Sequence, residues 1–339
     1  MSPAFENMRR IDEAQPADAV TGRVVWSPVK SLFLIAMYAG AIVAIVRYPD
    51  PVAILLFMVK TVTVLLLGHS VGMHRRLIHK SFTCPLWLEH AFVYCGTLVG
   101  LGGPFAMIRT HDFRDWAQRQ PRCHDYFAHR QAWPVDALWQ MHCDLKLAAP
   151  PRLTIEPEVA RDRFYRLIDR HWIAVHLPWI AVFYLLGGWA WVLWGVCAQV
   201  AVTVTGHWLI GYMAHTSETS ANETSTSDAQ AWHVRGAGVQ GKNVAFAGLI
   251  TMGESWHNNH HAWPGSACIG VYEGQPDPGY RLLKALEAAG LVHDIRLPED
   301  LPYRPQLHWA GDGAAPRRKP YRPPCMAMIA VGQLCGLRH

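Results

Sequence analysis

Residues 52–79 read VAILLFMVKTVTVLLLGHSVGMHRRLIH, an apolar run that leads directly into two histidines, His74 and His79. The apolar part, residues 52–67, has the composition of a membrane helix. Another apolar run, residues 31–46, lies just before it, and the intervening RYPDP at 47–51 is too short for more than a tight turn. The two runs therefore predict an antiparallel pair of membrane helices.

The composition of the chain also indicates a membrane protein. Of its 339 residues, 51% are hydrophobic and 17% are charged, against about 25% charged in a typical soluble protein. This excludes intrinsic disorder, a collagen-like repeat and a cysteine-rich secreted scaffold. The 31 basic residues are scattered among 26 acidic ones and form no nucleic-acid motif, so we expect a lipid bilayer as partner and no nucleic acid. The eight cysteines form no CxxC pair, which predicts reduced thiols.

A later apolar stretch predicts a second helical hairpin. Residues 173–207 are almost continuously apolar, and Gly187 and Gly188 stand where a turn is needed. Residues 91–108 are also apolar, but glycines and a proline interrupt them, so we expect an interfacial or re-entrant hairpin there. The predicted fold is an all-α integral membrane protein with four transmembrane helices in two hairpins and a cytosolic helical cap that carries the histidines.

The distribution of charge predicts the orientation. Residues 109–170 contain eleven Lys and Arg, whereas the two hairpin turns contain only Arg47. Basic segments stay on the cytosolic side, so both termini and the histidine-rich segments should be cytosolic in a multi-pass protein, in the inner membrane if the source is bacterial. We divide the chain into a polar cytosolic N-terminus (1–30), a membrane domain (31–308) and a Pro-rich basic tail (309–339) that we expect to be disordered.

The spacing of the histidines predicts metal binding. His257, His260 and His261 are i, i+3 and i+4, so they share one helix face, and the last two are about 100° apart and able to address two different metal ions. His74 and His79 are five residues apart, about 140° on an ideal helix, and would converge best at a frayed or distorted helix end. Imidazole binds iron, copper, nickel and zinc alike, so ligand type alone does not select the metal.

These motifs make the chain recognisable. A first histidine box reads GMHRRLIHKSF at 72–82, and a third reads GESWHNNHHAWP at 253–264. His207, in HWLIGY at 207–212, matches an isolated histidine at the end of the fourth span. From about residue 30 to residue 300 the chain resembles the membrane-bound fatty acid desaturases of the stearoyl-CoA and bacterial acyl type.

The second histidine box departs from the pattern of that family. Where the family usually has His-Arg-x-His-His, this chain has His111-Asp-Phe-Arg114-Asp115. Arg114 cannot bind a metal, whereas the Asp115 carboxylate can replace an imidazole on iron. His69, His124, Asp125 or His129 could instead complete the set; these histidines, with His90, His215 and His233, otherwise have structural or surface roles. The resemblance thus implies the metal ligands His74, His79, His111, Asp115, His207, His257, His260 and His261.

The resemblance also implies an activity. It predicts O2-dependent desaturation of a fatty acyl chain, as acyl-CoA or acyl-lipid, at a di-iron centre of two Fe on the cytosolic face, with no catalytic residue beyond the ligands. Electrons would come from a ferredoxin or cytochrome b5 through an NAD(P)H reductase, because the sequence carries neither carrier itself. The alternatives are a di-iron lipid hydroxylase or other C–H oxidase, and a non-catalytic metal- or lipid-binding membrane protein. The length of the fatty acyl chain, the position of the new double bond in it and the oligomeric state of the protein stay open.

Overall fold

The structure, a computed structural model, describes residues 10–12, 15–215, 232–310 and 318. The described part is mostly helical. The longer helices, each of eight residues or more, are Pro28–Arg47, Pro51–Thr63, the π-helix Val64–Ile78, Leu86–Thr97, Pro104–Arg119, Trp133–His142, Arg163–Arg170, Leu177–Val192, Gln199–His215 and Pro278–Ala288. Shorter helical segments are Asp125–Ala128, Pro157–Ala160, Ala174–His176, the π-helix Leu193–Ala198, Ala245–Ala247, His257–Ala262 and Pro298–Asp300.

Three helical stretches of the described chain are long and apolar enough to cross a membrane. They are Pro28–Arg47, Pro51–Ile78 and Ala174–His215, with mean hydropathies of 2.2, 2.2 and 1.8. The Asp50 side chain caps the second stretch by accepting from the backbone N–H of Val52 at 2.9 Å, as acidic N-caps commonly do. The third stretch is 42 residues long and is interrupted at Gly188, whose φ of 62° and ψ of −155° are not helical. By length and composition, these helices agree with the expected association with a membrane.

The second stretch ends in a π-helix, Val64–Ile78, and this geometry decides where its histidines lie. A π-helix pairs residue i with residue i+5 instead of i+4. Side chains five apart therefore follow one another along one face, and His69, His74 and His79 have this spacing. The distortion that the sequence spacing requires is thus a wider helix over fifteen residues rather than a frayed end.

Helix Leu86–Thr97 packs closely against this π-helix because glycines remove the side chains between them. A Cβ on Gly68 would lie 2.4 Å from the backbone of Cys95 and Gly96, and one on Gly72 would lie 2.6 Å from the backbone of Phe92. Small residues allow membrane helices to approach in this way. The contact continues into the largest described core cluster, which includes Met73, Leu77 and Val93.

Residues 91–108, expected to form a hairpin, lie in two helices. Leu86–Thr97 ends before the glycine-rich turn at 98–103, and Pro104–Arg119 starts beyond it with proline in its first turn. This second helix carries the remains of the second histidine box. The Asp169 carboxylate holds its start by accepting from the N–H groups of Phe105 and Ala106 at 2.9 and 3.2 Å.

Arg75 connects the π-helix to the last part of the fold. Its side chain is 1% exposed and donates to Asp277 Oδ1 at 2.8 Å, with Glu254 Oε1 at 3.5 Å. The other Asp277 oxygen accepts from the N–H groups of Ile269 and Gly270. A buried arginine with two carboxylates fixes the segment after residue 252 over the end of the π-helix.

The expectation of an all-helical fold needs one correction, because the described residues include three antiparallel strand pairs. The pairs are Ile11–Asp12 with Arg152–Leu153, Gly22–Trp26 with Cys143–Leu147, and Trp232–Val234 with Leu307–Trp309. The last strand, Leu307–Trp309, crosses the predicted boundary between the membrane domain (31–308) and the Pro-rich tail (309–339). The rest of the tail, apart from residues 310 and 318, lies outside the described residues. Six cysteines fall within the described part, and all six are free thiols.

Candidate metal centre

Four imidazoles from three different helical segments and a helix cap converge in a first group: His74, His79, His111 and His260. The Nε2 atom of His79 lies 3.2 Å from Nε2 of His74 and 3.2 Å from Nε2 of His111. The His260 ring lies 4.5 Å from the His74 ring and 4.8 Å from the His79 ring, between centroids. One potential ligand atom from each residue lies within 4.8 Å of all the others.

Carboxylates orient two imidazoles of this first group. Glu254 Oε2 contacts Nδ1 of His74 at 2.5 Å, and Asp112 Oδ1 lies 3.3 Å from Nδ1 of His111. A carboxylate on one ring nitrogen fixes the proton there and leaves the lone pair of the other nitrogen free. The free lone pairs are those on Nε2, the atoms that face His79. This is the arrangement by which proteins hold histidine ligands for a metal.

Three further imidazoles form a second group: His215, His257 and His261. Nε2 of His257 lies 3.0 Å from Nε2 of His215 and 3.1 Å from Nε2 of His261. Nδ1 of His215 lies 2.8 Å from the carbonyl oxygen of Gly211 and donates to it, so its Nε2 also faces the group with a free lone pair.

The third histidine box supplies both groups. Helix His257–Ala262 places His260 in the first group and His257 and His261 in the second. The His260 and His261 rings, adjacent in sequence, are 6.1 Å apart between centroids. The two groups are therefore neighbours that share one short helix.

Asp115 lies in the electrostatic field of both groups. Burial alone would raise the pKa of its carboxyl, but His111, Arg119, His261 and His257 lower that pKa to about 2. Burial acts to lower the pKa of His111. The carboxylates of Asp115 and Asp112 outweigh it and raise that pKa above its ordinary value. The Asp115 carboxylate is thus ionised beside imidazoles of each group. This is the charge state in which a carboxylate can bind a metal.

The chemistry of these residues fits transition-metal ions. His260 is 3% exposed, and its Nδ1 has no hydrogen-bond partner among the described residues. Burial lowers the pKa of His257 and His260 far below the ordinary histidine value and that of His261 to about 4, which keeps these rings neutral. Neutral imidazoles whose lone pairs face one another repel unless a cation lies between them. Imidazole with carboxylate suits iron, zinc and similar ions.

His207 lies outside both groups, whereas His215 lies inside one. The His207 ring contacts His69 edge-on, with centroids 4.9 Å apart. His215 is the last residue of helix Gln199–His215, eight residues, or about two turns, beyond His207. The sequence contained a signal for His215, because it stands at the end of its apolar helical stretch, as the first histidine box stands at the end of Pro51–Ile78. The sequence pattern did not single out Glu254 and Asp112, which contact His74 and His111.

The structure also locates the residues that occupy the altered second box. Arg114 Nη2 donates to Gln140 Oε1 at 2.7 Å. His129, one of the possible substitutes, is 1% exposed, with Nδ1 on Asp136 at 2.9 Å and its ring parallel to that of His215, 5.4 Å between centroids. It belongs to neither group of candidate ligands. Asp136 also accepts from Trp208 Nε1 at 2.8 Å, so this network supports helix Gln199–His215.

Comparisons with known proteins agree with this geometry. The profile described as fatty acid desaturase matches residues 49–272, a range that contains every candidate ligand of both groups. The sn-1 stearoyl-lipid 9-desaturase of Synechocystis sp. is 30% identical over 235 residues, which are 69% of each chain. That of Anabaena variabilis is 28% identical over 275 residues, 79% of this chain and 93% of the relative. Delta-9 acyl-lipid desaturase 1 of Arabidopsis thaliana is 29% identical over 238 residues, 69% of this chain and 72% of the relative.

Proposed function

This chain belongs to the fatty acid desaturase family, and we propose that it desaturates a fatty acyl chain at a di-iron centre on the cytosolic face of a membrane. The family consists of oxidoreductases, so the expectation of an enzyme of this class is confirmed. The observation that carries the proposal is the pair of adjacent imidazole groups, one of four histidines and one of three. Two neighbouring groups fit two metal ions better than one.

The proposed ligands of the first iron are His74, His79, His111 and His260. Those of the second are His215, His257 and His261, with the Asp115 carboxylate in the place of a second-box histidine. This assignment replaces His207 with His215, because only His215 brings a nitrogen to within 3.0 Å of a third-box imidazole. Asp115 is supported by its charge state and by its interaction with His257 and His261.

The proposed reaction balances with an external electron donor. Two hydrogens leave adjacent CH2 groups, and O2 with two further electrons and two protons becomes two waters. When bound, the iron pair supplies the O2 chemistry that amino-acid side chains lack. The residues of this chain hold the site: Glu254 and Asp112 keep protons on the outer ring nitrogens of His74 and His111. The electrons would come from a ferredoxin or cytochrome b5 through an NAD(P)H reductase.

For the membrane arrangement we propose four spans in two hairpins. A straight helix of 42 residues would be about 63 Å long, whereas the hydrocarbon core of a bilayer is about 30 Å thick. A contact between Phe183 and Gly195 supports a reversal of the helix at Gly188. Twelve residues of straight helix would separate these two residues by about 18 Å, whereas a Cβ on Gly195 would lie 2.7 Å from the Phe183 ring. Exposed apolar side chains such as Ile42, Leu55 and Leu185 support contact with lipid. The basic residues between 109 and 170 favour a cytosolic site and cytosolic termini.

The substrate class that we favour is an acyl chain carried on a membrane lipid. The relatives from Synechocystis, Anabaena and Arabidopsis described above are named as acyl-lipid 9-desaturases. A lipid-borne chain also reaches the site without leaving the bilayer.

The test is metal analysis together with lipid analysis. The detergent-purified protein is reconstituted with ferrous ion, and its iron content is compared with that of His260→Ala. Both proteins are then supplied with ferredoxin, its reductase, NADPH, O2 and lipid vesicles, and the fatty acids are analysed by mass spectrometry. We expect two irons per chain and new double bonds only with the unmutated protein. Hydroxylated chains would instead identify a lipid hydroxylase. Iron without any oxidised lipid would indicate a non-catalytic metal-binding protein.

A further inference from the structure

Arg10, in the polar segment before the first apolar helix, is buried against the end of the π-helix. Its side chain is 2% exposed, and the following residues Ile11 and Asp12 pair with the strand Arg152–Leu153. Its guanidinium donates to the carbonyl oxygens of Leu77 and Ile78, at 3.1 Å each. These carbonyls belong to the last turn of the helix, where backbone oxygens have no partner within the helix.

The same guanidinium binds two carboxylates. Arg10 Nε lies 2.9 Å from Glu156 Oε2, and Nη2 lies 2.9 Å from Glu156 Oε1, a two-point contact. Nη1 lies 3.4 Å from Asp112 Oδ2. Arginine suits such a site because its planar fork of donors is always charged and reaches several acceptors at once.

Two of these contacts lead to proposed ligands of the first group. Ile78, whose carbonyl accepts from Arg10, directly precedes His79. Asp112, paired with Arg10 through Oδ2, places its other oxygen 3.3 Å from Nδ1 of His111. His79 and His111 are the residues whose Nε2 atoms lie 3.2 Å apart. The Arg10 guanidinium therefore contacts a residue that helps to position each of these two imidazoles, Ile78 for His79 and Asp112 for His111. It contacts neither imidazole directly.

We propose that Arg10 is a positioning residue for the first metal site: it sets the separation of His79 and His111 by holding the end of the π-helix against Asp112. The inference rests on the ligand set proposed above. It predicts that Arg10 supports the metal site, although Arg10 lies outside the range 49–272 matched by the family profile. None of the bonds made by Arg10 involves His215, His257 or His261, so the second site should not depend on it.

The test compares metal binding at the two sites in Arg10→Met and Arg10→Lys. The matched control is Arg76→Met, because Arg76 lies on the π-helix turn that Arg10 contacts through Leu77 and Ile78. Arg76 instead forms an ion pair at 2.6 Å with Glu89, a residue that contacts none of the proposed ligands. Ferrous ion is titrated into each metal-free protein, and the occupied sites are resolved by Mössbauer spectroscopy with 57Fe. Loss of a partner that orients ligands typically weakens metal affinity 10- to 100-fold.

The expected result for Arg10→Met is a loss of about 10- to 100-fold in affinity at one site, with the spectrum and affinity of the other unchanged. Arg10→Lys should recover part of this loss, and Arg76→Met should bind both metals normally. Equal weakening at both sites, or unchanged binding in a folded Arg10→Met protein, would overturn the proposal. If Arg10→Met does not fold, Arg10→Lys decides: weaker binding at one site supports the proposal, and normal binding at both refutes it.

These outcomes are independent of catalysis. If the unmutated protein binds two irons but oxidises no lipid, the proposed function fails while the positioning role of Arg10 can still be measured. If the unmutated protein binds no metal, both the ligand set and the role of Arg10 are refuted.

Discussion

The two imidazole groups differ in what holds them. In the first group, buried charges hold two imidazoles: Glu254 orients His74, Asp112 orients His111, and Arg75 and Arg10 tie these carboxylates to the π-helix. In the second group, a backbone carbonyl orients His215. The Asp115 carboxylate interacts electrostatically with His257 and His261 of this group, and also with His111 of the first group.

This contrast predicts that the two proposed sites differ in their affinity for metal. Carboxylates hold two of the four imidazoles of the first group, and such preorganisation raises affinity because less order must be imposed when the ligand binds. The second group has three imidazoles, and in the proposed ligand set Asp115 supplies its fourth donor. We therefore expect the first metal to bind more tightly than the second. Substitutions near the second group should lower the affinity for the second metal more than that for the first.

The largest effect should follow from removing the histidine at the end of the last apolar helix. His215→Ala should reduce the iron content from two to one per chain and abolish desaturation, because it leaves two imidazoles in the second group. His207→Ala is the matched control, since it removes a half-buried imidazole from the same helix. Iron analysis and lipid analysis of both variants provide the measurement.

The same pair of variants decides between the sequence-based assignment and the geometric one. His207→Ala should retain two irons, because His207 contacts His69 and lies outside both groups. If His207→Ala loses an iron and His215→Ala keeps both, the ligand inferred from family resemblance is correct and the division into two groups must be redrawn.

An intermediate effect is expected at Asp115. Asp115→Asn keeps the shape of the side chain but removes the negative charge, so the affinity of the second site for ferrous ion should fall by more than the 10- to 100-fold typical of a lost outer-shell partner. The first site should change less, because His111 keeps the Asp112 contact at 3.3 Å. Titration of the metal-free protein with ferrous ion measures both affinities. Equal weakening of the two sites would mean that Asp115 acts only through the shared electrostatic field.

Much of this site could be predicted from the sequence. The apolar runs gave the positions of the membrane helices, and the i, i+3, i+4 spacing of the third box anticipated that His260 and His261 fall in different groups. Both inferences rest on local periodicity, which a single sequence contains. The glycines that interrupt residues 91–108 likewise marked the turn between two helices.

Other features depend on contacts between distant residues and were not accessible. The π-helix widens a segment that reads as ordinary helix, so His74 and His79 converge over its length rather than at a frayed end. Arg10 reaches its partners across 67 to 146 residues of sequence. The strand pairs that fix the N-terminal segment join residues about as far apart, such as Ile11 and Leu153. Periodicity carries no information on such pairings.

The smallest of the expected effects concerns the support of the first group, at Glu254. Its carboxylate accepts from Ser70 Oγ at 2.6 Å and orients His74. Burial would raise its pKa, but His74 and Arg75 hold that pKa well below the ordinary value, so it is ionised at neutral pH. Glu254→Gln keeps a similar volume and removes the charge, and it should weaken iron binding at the first site by about 10-fold. The second site should be unchanged, as measured by the same titration. A larger loss at the second site would contradict the separation of the two groups, because Glu254 contacts only the first.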